Sequence, residues 1–138
     1  MEDEVVDLRR GVTRLARRLR TERPEGALSS NKIGVLARLY REGPASPGEL
    51  AAAEHQRPQS LTRVFADLER AGLISRTRSP TDQRQSVLTL SPAGLAALSA
   101  DMTARDEWLL SALSHLTDVE RQVLHLAATL MDRLASLD

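Results

Sequence analysis

The stretch from Ser46 to Leu90 constrains this chain more than any other, because its punctuation leaves few ways to fold it. Ser46 can cap a helix, Pro47 suits the first helical position, where its missing N–H is not needed, and Glu49 can close a capping box. The spacing predicts a helix through Glu49-Leu50-Ala51-Ala52-Ala53-Glu54, a polar turn at His55, Gln56 and Arg57, and a second helix from Pro58 to Gly72. Gly72 lacks a Cβ and so permits a left-handed C-terminal stop. Two runs of strand character follow, Leu73 to Arg78 and Ser86 to Leu90, joined by a stretch full of turn formers.

In the second helix Leu61, Val64, Phe65 and Leu68 recur at steps of three and four, so that face must be buried. Gln59, Arg63, Ala66 and Arg70 point the other way, with Ser60 and Thr62 on the flanks. This face suits a DNA major groove: Gln can bond adenine bidentately, Arg can bond guanine or a phosphate, and Thr offers a methyl and a hydroxyl. Taken alone it reads rather as ordinary solvated surface. The hairpin beside it changes the balance, since Arg76 and Arg78 leave one face of their strand and Arg84 sits on the tip, where it can enter a minor groove. Asp82 is close enough in sequence to hold Arg84, or an arginine of the helix, in one rotamer. From Gln56 to Leu90 arginine outnumbers acid although the whole chain has a formal net charge of zero, so the basic character is local. The expected fold is mainly α: a winged helix-turn-helix with a two-stranded β wing, plus N- and C-terminal dimerisation helices.

The flanks supply those helices. Val5, Leu8, Val12, Leu15 and Leu19 form a heptad-like stripe, with Arg9, Arg10, Arg14, Arg17 and Arg18 over much of the remaining surface. Such a basic amphipathic helix suits a membrane surface or a partner helix; the lack of aromatics in the stripe, Gly11 and the acidic start favour the partner helix. Pro24 and Gly26 mark a link. Ser29 or Ser30 can cap a further helix whose buried side is formed by Ile33, Leu36, Ala37, Leu39 and Tyr40, ending at Gly43-Pro44. Beyond the wing, Ser91 and Pro92 open a long helix, and Thr117 with Glu120 gives a capping box for a last one bearing Val123, Ala127, Leu130, Leu134 and Leu137. These three terminal helices carry more apolar surface than a small domain can cover, so a second copy of the chain is their natural partner. The expected divisions are 1–28 (dimerisation helix and link), 29–91 (DNA-binding domain) and 92–138 (dimerisation helices). A two-fold dimer demands a pseudo-palindromic site with half-sites about 10 base pairs apart, and obligate interfaces of this kind commonly bury over about 2,000 Å².

Several chemistries find no support. Without cysteine there is no disulfide, thiolate metal site or thiol redox sensor. His55, His115 and His125 lack metal-ligand spacing, so neither a metal nor a cofactor is expected. Ser114, His115 and Asp118 lie too close along one helix end to form a hydrolase relay, and no nucleophile elbow or phosphate-cradling loop occurs, so no catalytic residues are expected. No apolar run approaches the roughly 20 residues that span a bilayer, and the acidic first residues are unlike a signal peptide; the expectation is a cytoplasmic protein with no membrane partner.

At Leu50-Ala51, Pro58 to Arg63, Leu68 to Arg76 and Asp82 to Gly94 the sequence resembles the MarR (multiple antibiotic resistance) regulators. The last run is similar to that family's wing signature: Asp, one residue, Arg, then an apolar strand ending in Thr, a leucine and a small-residue helix start. Arg57 departs from the pattern, standing where many members carry a better cap such as Ser. The resemblance implies a homodimeric regulator on double-stranded DNA, a repressor released by a small ligand. Gln59, Thr62 and Arg63 would read bases, Ser60 and Arg70 would hold phosphates, and Arg84, oriented by Asp82, would enter the minor groove, with Arg76 and Arg78 beside it. It further implies that a small aromatic or amphiphilic ligand meets Met102, Arg105 and Trp108, and Tyr40 can border such a site; for Tyr40 and Trp108, read as residues, plain packing is the preferred reading. Two other functions would use the same features: a winged-helix protein-interaction module, or a membrane-associated helical adaptor, neither of which would bind DNA.

Overall fold

A computed structural model describes residues 1–138. Its elements run α1 (Glu2–Thr21), α2 (Ser30–Glu42), α3 (Pro47–Ala53), α4 (Pro58–Arg70), β1 (Ile74–Arg78), β2 (Ser86–Leu90), α5 (Pro92–Leu113) and α6 (Asp118–Ala135). The backbone separates into two compact units, one of residues Arg23–Thr103 and one of Met1–Glu22 with Ala104–Asp138. Helix α5 contributes residues to both. This is the expected mainly α order with a two-stranded wing.

The unit spanning Arg23–Thr103 holds the hydrophobic core. Val35 and Leu36 of α2, Leu50 of α3, Leu61 and Leu68 of α4 and Leu88 of β2 are all essentially sealed from solvent. Each such side chain contributes about 1.5 to 3 kcal/mol by leaving water. Phe65 is the one buried aromatic, so the core is aliphatic, as the scarcity of aromatic residues requires. The strands pair antiparallel with Ile74 opposite Leu90 and Arg76 opposite Leu88. A short bridge that sequence reasoning missed adds a third chain segment to this sheet: the Ala45 N–H donates to Leu88 O at 3.1 Å, and the Leu88 N–H donates to Ala45 O at 2.8 Å. It anchors the root of the wing to the loop before α3.

Local chemistry sets the helix boundaries. Ser29 accepts from the Lys32 N–H and Ser46 from the Glu49 N–H, so both act as N-caps. Glu49 does not return the bond, and only the serine half of that expected box forms. The Thr117 and Glu120 box is complete in both directions. Helices α3 and α4 end alike. After α3 the Gln56 N–H reaches Ala51 O at 2.8 Å with His55 at φ 52°; after α4 the Leu73 N–H reaches Leu68 O at 2.9 Å with Gly72 at φ 73°. Both are left-handed helix stops of the Schellman type. Serine 91 then starts α5 by accepting from the Gly94 N–H while donating to Gly72 O at 2.6 Å.

The other unit has a different character. No residue of α1 or α6 is buried. Val123 and Leu126 are each 60% exposed, and the α1 stripe of Val5, Leu8, Val12 and Leu15 is exposed along its length. Inside this unit the Arg18 guanidinium lies over the Trp108 ring, 4.9 Å from its centroid, joining α1 to α5 by a cation–π contact.

Candidate nucleic-acid interface

Helices α3 and α4 and the β1–β2 hairpin form the expected helix-turn-helix and wing. Helix α2 supports the turn from behind. Its Arg38 donates to Ala53 O at the C-terminal end of α3 and lies 3.9 Å from Glu54, while Asn31 accepts from the Gln56 side chain at 3.2 Å. A cation at a helix C-terminus is favoured by the helix dipole.

On α4, Leu61, Phe65 and Leu68 are buried. Gln59, Ser60, Thr62, Arg63 and Arg70 are all exposed, and Ala66 is half-buried. The Thr62 hydroxyl donates back to Pro58 O at 3.1 Å, leaving its lone pairs and methyl for an outside partner. No side chain caps the start of α4 at Arg57, in keeping with the departure seen in the sequence.

The arginines divide into two classes. Arg70 is paired with Asp67 at 2.8 Å, and Asp67 also lies 3.7 Å from Lys32 of α2. Arg76 forks onto Glu69 of α4, Nε to Oε1 at 2.9 Å and Nη2 to Oε2 at 3.3 Å. By contrast, Arg63 on α4, Arg78 near the end of β1 and Arg84 on the wing tip are exposed and engaged by no carboxylate of the chain. An unneutralised guanidinium on an exposed helix face and another at a hairpin apex are what a polyanion can use.

The wing tip is built internally. The Ser79 N–H donates to Gln85 O at 2.9 Å, closing the loop, and Ser79 Oγ accepts from the N–H groups of Thr81 and Asp82. Asp82 Oδ1 accepts from the Arg84 N–H at 3.0 Å. Asp82 therefore fixes the backbone beneath Arg84 rather than its guanidinium, a turn stabilised by an aspartate side chain.

The residues expected to meet a ligand fall in both units. Tyr40 of α2 is 61% exposed and so is not the half-buried core residue expected, because the helix turns its neighbour Leu39 to the core instead; Met102 packs on the core. Arg105 and Trp108 lie one turn apart on α5, both half-buried, and one face of the Trp108 ring is taken by Arg18. An open cleft lined by Asp118, Arg121, Gln122 and His125 and an apolar one lined by Leu130, Arg133, Leu134 and Leu137 lie along α6 and its C-terminal end, and neither is lined by any of these four residues. The Ser114 hydroxyl donates to Ser111 O, and Asp118 pairs with Arg121, so neither bonds to His115. The feature that sequence reasoning missed is a buried ion pair, Arg23 with Asp101, in which Arg23 also donates to Leu28 O. No helix is long and apolar enough to cross a membrane.

Comparison with known proteins agrees with this geometry. A model of the MarR family matches residues 28–86. The uncharacterized HTH-type transcriptional regulator Mb0904 of Mycobacterium bovis is 40% identical over 125 residues, which cover 91% of this chain and 87% of the relative. A crystal structure of a Pseudomonas aeruginosa protein assigned to the transcriptional regulators matches at 36% identity and TM-score 0.77, over 99% of this chain and 96% of that one. BpsR of Bordetella bronchiseptica, whose structure is described by the regulation of its DNA binding by 6-hydroxynicotinic acid, shares the fold with TM-score 0.71 at 22% identity, over 94% of this chain and 98% of its own. With a helix-turn-helix, an arginine-tipped wing and a relative alike over nearly its whole length, the chain belongs to the MarR family of winged helix-turn-helix transcriptional regulators.

Proposed function

We propose that two copies of this chain clasp through α1, α5 and α6 and place their α4 helices in successive major grooves of a pseudo-palindromic operator, acting as a repressor that a small ligand releases. The observation that carries this reading is the selective pairing of charge. The unit Arg23–Thr103 spends carboxylates on Arg23, Arg38, Arg70 and Arg76, while Arg63 in the middle of α4 and Arg84 at the wing tip, like Arg41, Arg57 and Arg78, have none.

In this reading Gln59, Thr62 and Arg63 meet base edges, Ser60 meets a phosphate, and Arg84 approaches the minor groove with Arg78 on the adjacent backbone. Arg70 reaches phosphate only by exchanging Asp67 for it. The exposed apolar faces of α1 and α6 support the dimer, because contiguous apolar surface of this extent marks an interaction site. A dimer spread over two half-sites obstructs polymerase, which is the physical basis for repression. For the ligand we favour an aromatic acid: Arg105 supplies a cation one helical turn from the Trp108 ring, and BpsR is regulated by a molecule of that class. Regulation by DNA binding requires no reaction chemistry from the chain, and residence in the cytoplasm follows from that role.

Selecting bound sequences from random DNA tests the reading in one step. A two-fold symmetric consensus with half-sites about 10 base pairs apart is the expected result. Absence of any salt-sensitive binding would instead favour the protein-interaction module, and co-sedimentation with anionic vesicles the membrane adaptor.

A further inference from the structure

The pairing of Arg76 with Glu69 has a mechanical setting. Along β1 the side chains of Ile74, Arg76 and Arg78 leave the same face, and opposite them on β2 stand Leu90, Leu88 and Ser86. Ile74 and Leu88 are buried, so the root of the hairpin is held by the core. Beyond the Arg76 and Leu88 pair only Thr77 with Val87 and Arg78 with Ser86 remain before the tip, and all the tip's own bonds are internal. The outermost polar tie between the hairpin and a helix is therefore the guanidinium–carboxylate fork from Arg76 to Glu69, on the last turn of α4.

We propose that Glu69 and Arg76 are positioning residues that fix the angle of the wing to the recognition helix, and that Arg76 acts on DNA binding through Glu69 rather than by touching DNA. This rests on the DNA-binding reading above. The lever is long enough to matter. Arg84 stands four positions before Leu88, at most about 13 Å away at strand spacing. A tilt of roughly 10° at the root moves the tip by about 2 Å over such a length, enough to take a guanidinium out of hydrogen-bond range of its target. An exposed pair is ordinarily a weak tie, but two parallel bonds in a fork define a direction as well as a distance. Glu69 is also well placed as an anchor: Leu68 beside it is buried, and its own carbonyl accepts the Gly72 N–H that ends the helix.

The sign of one substitution separates this proposal from its rival. If Arg76 gripped phosphate directly, Glu69→Gln would free it and remove a negative charge near a polyanion, so affinity would rise. If the pair positions the wing, Glu69→Gln lowers operator affinity, by roughly three- to fivefold for an exposed pair. Arg76→Lys keeps the charge and loses the fork, and it should weaken binding to the same extent. Combining either change with Arg84→Ala should add little further loss, since the wing contact is already gone. Amide hydrogen exchange of the DNA-free protein supplies an independent readout: Glu69→Gln should speed exchange across residues 76–86 while leaving α2 and the start of α4 unchanged. Equal or tighter operator binding by Glu69→Gln, full affinity in Arg76→Lys, or unaltered wing exchange would each overturn the proposal. Failure of the wild-type chain to bind DNA would overturn the functional reading instead, with the exchange measurement still deciding whether the pair holds the wing.

Discussion

Arg23 aims two donors, Nε and Nη2, at a single oxygen of Asp101, at 3.2 and 2.9 Å, across 78 positions of sequence. Asp101 is 5% exposed and the Arg23 side chain 14%, so solvent screens this pair little. Removing one member of a buried pair leaves the other charge without compensation. Asp101→Ala should therefore destabilise the chain by about 3 kcal/mol or more, read as a lowered midpoint in urea.

Gly94 is fixed by close approach. A Cβ there would stand 2.0 Å from Leu73 O and 2.7 Å from a Leu90 methyl, and the carbonyl cannot retreat because it also accepts the Ser91 N–H. Gly94→Ala should cost about 1 to 3 kcal/mol or more, as overpacking a core does, and lower the thermal midpoint. Its backbone φ is not in the left-handed region, so the cause is space alone.

His55 presents the opposite case. It occupies the left-handed position of the turn between α3 and α4, at φ 52°, where a side chain is strained by about 1 to 2 kcal/mol. His55→Gly relieves that strain but adds freedom to the unfolded chain, so a net gain of about 0.5 kcal/mol is expected. Equilibrium unfolding measures it directly. A loss of stability would mean that the imidazole makes a contact of its own.

These three sites show what the sequence made legible and what it hid. Ser46, Pro58, Gly72 and the Thr117 and Glu120 box were readable because a cap acts on residues three or four positions away. The wing was readable from alternation and turn residues, and its register follows from which side chains reach the core. Arg23 with Asp101, by contrast, depends on how distant segments pack, and no local pattern announces it. The same holds for the Ala45 and Leu88 bridge. For the candidate interface the exposed set on α4 was recoverable from periodicity, but whether an exposed arginine is already neutralised was not. Arg76 and Arg84 look alike in sequence, and only geometry separates the first, held by Glu69, from the second, whereas the Asp67–Arg70 pair is an i, i+3 contact on one helix that sequence can show.

That separation yields a prediction on DNA. Arg84→Ala should weaken binding to all sequences and reduce the slope of log affinity against log salt by about one unit or less, the signature of a lost phosphate-type contact. Gln59→Ala should leave the slope intact and relax discrimination at one base position, by about 1 to 3 kcal/mol. Titrations at several salt concentrations against a consensus and a mismatched duplex distinguish the two patterns. If Arg63, Gln59 and Arg84 can all become Ala without loss of operator affinity, the face assigned to reading is wrong.

For the dimer the informative position is Leu130. It is 44% exposed on α6, in a helix with no buried residue, so a charge there disturbs no core of the single chain. Leu130→Glu should leave helix content and the Arg23–Thr103 unit intact while shifting the sedimentation coefficient to that of a monomer and abolishing operator binding. A Leu130→Glu chain that remains dimeric would move the interface away from this face of α6.

The wing tip carries one more consequence. Its loop is closed on itself by Ser79, Asp82 and Gln85 without help from any partner, so Arg84 is presented by a backbone that has already surrendered its conformational freedom during folding. Association then has no disordered arm to condense. The hairpin's share of the binding entropy is thereby confined to the guanidinium's own rotamers and to the ions it displaces.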